Sequence, residues 1–321
     1  MSMGSIREAA EKLSQKENKR GEIAQKFNQV DSIEEDSTIK ETFLAKKVGS
    51  QKPRSAAGVD GGIVKKRYSS GDIVASRAVA AVFNFENELE VDYLPSKSPE
   101  PDFQVFDADD ASSLEKNAES ERLRKETQTI LEAMNQTEVV FVDGSVVPSY
   151  LENTEVLENY NTMFENASSG QLIGVVEDSY GKKMTSLMEE KLDLDLGNTR
   201  DTLLMEAVLG EEERSFVRRY SSSPVEHPVL SKLEDRDVNR LHTFYVKLSK
   251  NDLPLRIDYL GKPEEADKIA SYLLALKSSE SYTVPSPIVE ADKRAKIPET
   301  YIKRLEKRFS PEVKRRDRRR F

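Results

Sequence analysis

Residues 56–63 read Ala-Ala-Gly-Val-Asp-Gly-Gly-Ile, so a short apolar segment ends in Asp60 and two glycines follow it. The pattern returns at residues 139–145, Val-Val-Phe-Val-Asp-Gly-Ser, where four β-branched or aromatic residues predict a buried strand that ends in Asp143. In both segments the aspartate stands at the carboxyl end of a strand, on backbone that glycine leaves open to a closely bound ligand. Two such aspartates on adjacent strands would face each other across a short distance.

A pair of close carboxylates indicates a metal site, because one of them takes up a proton unless a cation holds both ionised. Carboxylate oxygens favour Mn²⁺ or Mg²⁺, and a site for two metals needs further acids. The helix predicted over residues 113–135 offers Glu126, with Glu119, Glu121 and Glu132 as alternatives. The opposing interpretation stays open, since Asp-Gly also forms plain turns and most helix glutamates are solvated.

The composition is that of an acidic, highly charged chain. Among the 321 residues, Lys and Arg number 49 and Asp and Glu number 58, which gives a net charge of −9. Bulk charge therefore disfavours nucleic-acid binding, which would have to use local basic patches. With no cysteine, the chain forms no disulfide and no thiolate metal site. No apolar run is long enough to span a membrane and no apolar signal core opens the chain, so we expect a cytoplasmic protein without membrane contact.

Apolar periodicity predicts early strands followed by alternating helices and strands. This order predicts an α/β fold with a ribonuclease-H-like core, in which helices flank a mixed sheet. Further strands are predicted over residues 73–85, 103–106, 171–176, 214–220, 241–248 and 255–259, and further helices over 149–169, from 182 onward, over 263–276 and over 287–309.

Several motifs in a fixed order resemble the NurA family of nucleases. They are GVDGG at 58–62, RKE at 124–126, VVFVDGS at 139–145, LIGVVEDS at 172–179, DTLLMEAVLGEEE at 201–213, HTFYVKL at 242–248, LRIDYL at 255–260 and YTVPSPIVEADKRAKI at 282–297. No single motif is long, but their order and spacing together are specific. The resemblance extends from about residue 55 to about residue 300.

The resemblance implies a metal-dependent DNA nuclease that works in DNA end resection and double-strand-break repair. It implies 5′–3′ exonuclease and single-strand endonuclease activity with Mn²⁺ (or Mg²⁺), acting on single-stranded DNA and on double-stranded ends. It further implies a homodimer and a HerA-type hexameric ATPase as partner. We accordingly expect a helical arm over residues 1–50, a NurA-type nuclease domain over 51–309 and a basic C-terminal tail over 310–321.

Carried over by motif, the catalytic metal-binding carboxylates would be Asp60, Glu126 and Asp143. Two departures from the family pattern stand out. Asp292 occupies a position where members often carry a histidine, and we expect it to serve as a fourth catalytic metal ligand near the start of the final helix. Glu177 stands where a lysine often follows the glycine-bearing strand.

Basic side chains close to these motifs are candidates for holding the DNA backbone. They are Lys65, Lys66, Lys182, Lys183, Arg256, Lys293 and Arg294. His227 precedes Pro228 in a predicted loop, and of two interpretations, a position near the site and a plain surface residue, we favour the surface residue. Two other functions remain open: a catalytically weakened NurA-like partner subunit, which the missing histidine favours, and an actin-like or sugar-kinase-like ATPase, which the lack of a Gly-rich adenosine-binding segment disfavours.

Overall fold

The computed structural model describes residues 32–107, 113–177, 179–193, 195–233 and 238–309, together with residue 313 and scattered positions between 7 and 30. Apart from residue 313, the predicted basic tail lies outside the described residues. So does much of the predicted helical arm.

A long antiparallel hairpin forms the first half of the sheet. β2 pairs with β3 along its whole length, from Ser55 opposite Asn84 to Tyr68 opposite Gly71. β4 and β5 both pair with β3 in antiparallel fashion. The strands are β1 (Ala45–Lys47), β2 (Ser55–Tyr68), β3 (Gly71–Asn84), β4 (Glu90–Leu94), β5 (Asp102–Phe106), β6 (Val139–Asp143), β7 (Leu172–Val176), β8 (Glu213–Ser215), β9 (Arg218–Arg219), β10 (Leu241–Lys247) and β11 (Leu255–Leu260).

The second half of the sheet mixes parallel and antiparallel strands. β6 runs parallel to β2, and β7 runs parallel to β6. β11 then pairs antiparallel with β7, and β10 with β11. The resulting order is β1-β8-β10-β11-β7-β6-β2-β3-β4, with β5 on β3 and β9 on β10. This is the mixed sheet that the sequence predicts.

Helices cover both faces of this sheet, which explains the unbroken apolar run in β6. Val140 and Val142 face one apolar cluster, and Val139 and Phe141 face the other. A strand buried on both faces reads as a continuous apolar segment rather than an alternating one. The helices are α1 (Ser113–Met134), α2 (Thr154–Asn166), α3 (Lys183–Leu192), α4 (Asp201–Val208), α5 (Ala266–Leu276), α6 (Ser286–Ala295) and α7 (Thr300–Glu306).

Three local predictions need correction. The helix predicted over 287–309 is two helices, because Pro298 follows the end of α6 and disfavours helical backbone before it. The strand predicted over 214–220 is the two short strands β8 and β9. Asp60 does not end its strand, since β2 continues to Tyr68 while paired with β3.

The N-terminal segment joins the body of the protein. Residues 32–50 contain the short strand β1, which pairs with β8, and no helix. Ile33, Ile39 and Leu44 are buried in one apolar cluster with residues of α3 and α4. The division at residue 50 stays a prediction. Among the described helices, none combines the length and apolar character that a membrane crossing requires.

Candidate functional site

The register between β2 and β6 places the two predicted aspartates side by side. Parallel pairing ends with Val59 opposite Val142, so Asp60 and Asp143 occupy the next position on neighbouring strands. Asp143 is the last residue of β6 and stands opposite Val175 of β7. β2 runs on past this point, but its parallel partner ends here. The edge formed by the carboxyl end of β6 therefore gathers the two carboxylates.

Glycine at position 61 makes room for a third carboxylate. A Cβ atom on Gly61 would lie 2.5 Å from Glu126 Oε1, which reaches the strand from helix α1. A Cβ atom on Gly62 would overlap the carbonyl oxygen of Ala295 at the end of α6. The sequence interpretation of these glycines, that they leave the backbone open to a ligand, needs correction. They allow two helices, α1 and α6, to pack closely against β2, and α1 carries Glu126.

The carboxylates repel one another strongly. Burial, then the negative charges of Asp143 and Asp292, raise the pKa of Asp60 to about 7. Burial raises the pKa of Glu126 to about 7 as well, with Asp60 adding to the effect and Arg122 opposing it. Asp143 is exposed to solvent at one side, but its pKa is raised as well. The largest cause is burial of the carboxylate among protein atoms, and the negative charges of Glu177 and Asp292 add to it. Such mutual repulsion is what a bound cation relieves.

Two cations of the chain already neutralise part of this charge. Arg122, four residues before Glu126 on α1, donates to the Glu126 and Glu119 carboxylates. Lys296 Nζ donates to Asp292 Oδ2 at 2.6 Å. In the part of the chain that the structure describes, no three acidic or histidine side chains converge closely enough to hold a metal ion. The two ion pairs hold Glu126 and Asp292 in their present orientations.

The donor set nevertheless fits a hard divalent cation. All four candidate ligands, Asp60, Glu126, Asp143 and Asp292, offer carboxylate oxygen, which Mn²⁺ and Mg²⁺ accept. Two pKa values near 7 mean that at neutral pH part of the cluster holds protons that a cation could replace.

Asp292 lies elsewhere on its helix than expected. α6 begins at Ser286, so Asp292 is in its second half and cannot act as its N-terminal cap. Gly58 and Gly62, which share a face of β2 with Asp60, meet the backbone of Pro287 and Ala295, so α6 packs on the face that carries Asp60. The negative charge of Asp292 contributes to the raised pKa values of Asp60 and Asp143. The expectation of a position near the helix start is wrong, because α6 ends at Ala295 instead of continuing to residue 309.

Tyr282 and Glu177 belong to the same site, although the sequence alone did not assign them to it. Tyr282 donates its hydroxyl hydrogen to Glu177 Oε1 at 2.8 Å. The pKa of Tyr282 is raised, most by burial and then by this hydrogen bond, and the negative charges of Asp143 and Asp292 raise it further. The signal for Glu177 was available: it is the first residue after β7, the strand next to β6. Tyr282 lies in a loop and gives no comparable signal.

His227 is not the plain surface residue that the sequence suggests. With Glu126, Asp143 and Tyr220 it lines a cavity of about 420 Å³. Its Nδ1 accepts hydrogen bonds from the backbone N–H groups of Val229 and Leu230, each at 3.2 Å, so the ring proton lies on Nε2. Burial, together with the charge of Lys183, lowers the pKa of His227. A neutral imidazole therefore faces the cavity at neutral pH.

The seven predicted basic residues are widely separated. Lys65 pairs with Glu115, and with Lys66 it lies on β2 well past Asp60. Lys182 donates to Asn198, and Arg294 pairs with Glu290 at 2.7 Å. Lys293 is exposed on α6 beside Asp292. Only two of the seven line a common cavity near the carboxylates, and these are Lys183 and Arg256.

Comparisons with known proteins identify the family and the fold of this chain. The NurA domain family matches residues 54–297. The NurA nuclease from Sulfolobus solfataricus superposes with a TM-score of 0.64 at 13% identity, covering 96% of each chain. NurA solved with manganese and NurA bound to dAMP and manganese give TM-scores of 0.53 and 0.52 at 11% and 10% identity, over 83% of this chain and 90% of each of theirs. No curated protein sequence matches.

These similarities confirm the predicted ribonuclease-H-like fold. The family match extends over most of the chain and includes Asp60, Glu126, Asp143 and Asp292. The chain therefore belongs to the NurA family of nucleases, as the order of its sequence motifs predicts.

Proposed function

We propose that this protein is a metal-dependent DNA nuclease whose catalytic carboxylates are Asp60, Glu126, Asp143 and Asp292. One observation carries the proposal: Asp60 and Asp143 take the same register position on neighbouring parallel strands, and their repulsion helps to raise the pKa of Asp60 to about 7. A protein keeps such a costly arrangement where a function needs it. Family membership and the manganese and dAMP found with other NurA proteins support the same assignment.

The proposed cofactor is Mn²⁺, with Mg²⁺ as the alternative, held by Asp60 and Asp143 first. When bound, such an ion polarises a phosphate oxygen and lowers the pKa of a coordinated water. Glu126 binds Arg122 through Oε1 and Asp292 binds Lys296 through Oδ2, so each carboxylate keeps a second oxygen that can coordinate the ion. Arg122 and Lys296 can turn to the negative charge of a DNA phosphate where the ion takes over their carboxylates.

Each remaining member of the site has a task that follows from its contacts. Tyr282 orients Glu177 through its hydrogen bond, and Glu177 adds negative charge beside Asp143. Asp292 can bind a cation through its carboxylate oxygens. His227, neutral with its proton on Nε2, can donate a hydrogen bond into the cavity.

The finer activity is also part of the proposal. We propose 5′–3′ exonuclease and single-strand endonuclease activity on DNA ends, in end resection and break repair, by a homodimer that works with a HerA-type hexameric ATPase. Membership of the NurA family supports this. The proposed contacts to the DNA backbone are Lys65, Lys66, Lys182, Lys183, Arg256, Lys293 and Arg294.

A catalytically weakened partner subunit is the second candidate function. The observation that favours it is Asp292, a residue that replaces a possible proton carrier by a carboxylate already paired with Lys296. Such a subunit would bind DNA and the ATPase while cleaving slowly or not at all.

One assay separates the two functions. End-labelled single-stranded DNA is incubated with the protein and Mn²⁺, Mg²⁺ or EDTA, with and without a HerA-type ATPase. The nuclease cleaves with metal and not with EDTA, and Asp60→Ala and Asp143→Ala each lose at least about 100-fold in rate, because losing one metal ligand removes several kcal/mol of stabilisation. Asp92→Ala, an exposed acid on β4, controls for the loss of charge. Metal-dependent cleavage at near-normal rate by Asp60→Ala would exclude the assigned site.

The homodimer has a simple test. Light scattering at micromolar concentration should give twice the chain mass, because a ring-shaped motor is served by a closed two-fold assembly around the DNA. A monomer under these conditions contradicts the proposal.

Asp292 can be tested separately from the aspartate pair. Asp292→Asn should weaken Mn²⁺ binding in calorimetry and slow cleavage, whereas Asp292→His should retain both, since imidazole is also a metal ligand. Lys303→Gln, on α7, serves as a control outside the site. Unchanged Mn²⁺ affinity in Asp292→Asn would remove this residue from the ligand set.

A further inference from the structure

A small second cavity adjoins the larger one that Glu126 and Asp143 line. Its volume is about 70 Å³, against about 420 Å³ for its neighbour. Tyr220 and Arg256 line both cavities, so the two are adjacent. The small cavity is lined by Gly181, Lys183, Asp201, Arg218, Tyr220, Arg256 and Asp258.

Positive charge exceeds negative charge around this cavity, with three cations against two acids. Arg218 is 5% exposed, and among the described residues no carboxylate pairs with it. It donates from Nη1 to the carbonyl oxygen of Arg219 at 2.9 Å, while its Nε finds no hydrogen-bond partner in the described structure. A buried, unpaired guanidinium costs several kcal/mol, so this position favours an anion.

Both acids of the cavity accept hydrogen bonds from other donors, although Asp258 does so through Oδ2 alone. Asp201 accepts from the backbone N–H groups of Thr185 and Met184 at 2.8 and 3.1 Å, at the start of α3. Asp258 accepts at Oδ2 from Ser145 at 2.8 Å and from Arg256 at 2.9 Å. Neither acid forms an ion pair with Arg218 or with Lys183 in the described part of the chain.

Lys183 stands exposed where it can reach into this cavity. Its Nζ lies 5.2 Å from the centre of the Tyr220 ring, and among the described residues it forms no ion pair. The partial burial of Lys183, with Arg218 and Arg256 nearby, lowers its pKa. An anion between these three cations would relieve that repulsion.

The size and polarity of the cavity point to a phosphoryl group. The volume has room for a few water-sized groups but not for a nucleoside. Asp258 lines the cavity, and its buried Oδ1 has no hydrogen-bond partner in the described structure. A phosphate monoester can keep a P–OH proton to donate to this oxygen, because its second pKa is near 6. An internal phosphodiester has no such proton.

We propose that Lys183, Arg218 and Arg256 form a pocket for the terminal phosphate of a DNA strand, next to the carboxylate cluster. The identification of the ligand as a DNA end rests on the proposed nuclease function. The pocket would bind the strand end by its phosphate and leave a nearby phosphodiester bond in the larger cavity, beside Asp143.

Binding without cleavage tests this pocket. Titration calorimetry in EDTA measures the wild-type protein with three otherwise identical oligothymidines: 5′-phosphorylated, 3′-phosphorylated and unphosphorylated. We expect one phosphorylated form to bind at least about tenfold more tightly than the unphosphorylated one, the effect of one charge-assisted contact of about 1.4 kcal/mol. Inorganic phosphate should compete with that form.

The matched variants are Lys183→Gln and Lys191→Gln, which remove the same charge from opposite ends of α3. Lys183→Gln should lose the preference for the phosphorylated strand, and Lys191→Gln should retain it. Equal affinity of the wild-type protein for all three strands overturns the proposal, as does a preference that survives in Lys183→Gln. Because EDTA stops metal-dependent cleavage, this binding test does not depend on nuclease activity. If the protein prefers a phosphorylated strand but cleaves no DNA with metal, the phosphate pocket is supported and only the nuclease function is rejected.

Discussion

Replacing Asp60 by asparagine should stabilise the metal-free protein, and the gain in stability should be about two to three times as large at pH 8 as at pH 5. In the folded chain burial and the nearby carboxylates raise the pKa of Asp60 to about 7, from an ordinary value of 3.8. Between these two values the folded state binds the proton and the unfolded state does not. Stability therefore falls as the pH rises from about 4 to about 7, and the favourable contribution is lost above that range. Asparagine never ionises, so it does not incur this cost.

The pKa difference sets an upper limit on the effect. At 1.36 kcal/mol per pH unit, a change from 3.8 to about 7 corresponds to about 4 kcal/mol at pH 8. Solvent reaches part of the side chain, and Asp143 shares the repulsion, so we expect about 1–3 kcal/mol. For a chain of this size that is a rise in melting temperature of about 1.5–4.5 °C.

Urea unfolding and calorimetry in EDTA, at pH 5 and pH 8, measure this difference. Asp92→Asn, which removes one exposed charge from β4, should change stability little at either pH. The reasoning is refuted if Asp60→Asn is no more stable than wild type at pH 8, or if it gains as much at pH 5 as at pH 8.

Three further outcomes follow from the structure. Gly62→Ala should destabilise the protein by more than about 2 kcal/mol in urea unfolding, because its Cβ atom would overlap the Ala295 carbonyl, whereas Gly49→Ala, with open space around it, should not. Ile39→Ala should cost about 2–4 kcal/mol in the same assay, since this side chain is 0% exposed, and a neutral result would contradict docking of the N-terminal segment. Mn²⁺ should raise the melting temperature of wild type at pH 8 but not that of Asp143→Ala; an equal rise in both would place the metal elsewhere.

Much of the fold could be predicted because its signals are local. The apolar run before Asp143 predicts a buried strand, and helices on both faces of the sheet bury it. The missed elements are short. β4 alternates polar and apolar residues over only five positions, too few to separate it from a loop, and pairing with the edge of β3 stabilises it. β1 is three residues long and pairs with β8, more than 160 residues away in the sequence.

Some features of the candidate site could likewise be predicted from local sequence, and others depend on the tertiary structure. The glycine after Asp60 marks a close approach, but the sequence could not tell that the approaching group is Glu126 rather than a ligand. Arg122 was detectable, because a spacing of four residues on a helix puts it beside Glu126. Its role depends on tertiary structure: its charge opposes the raised pKa values of Asp60, Glu126 and Asp143 at once. Since that single guanidinium partly compensates three acids from three elements, it stabilises the metal-free site, and any cation that binds there must compete with it.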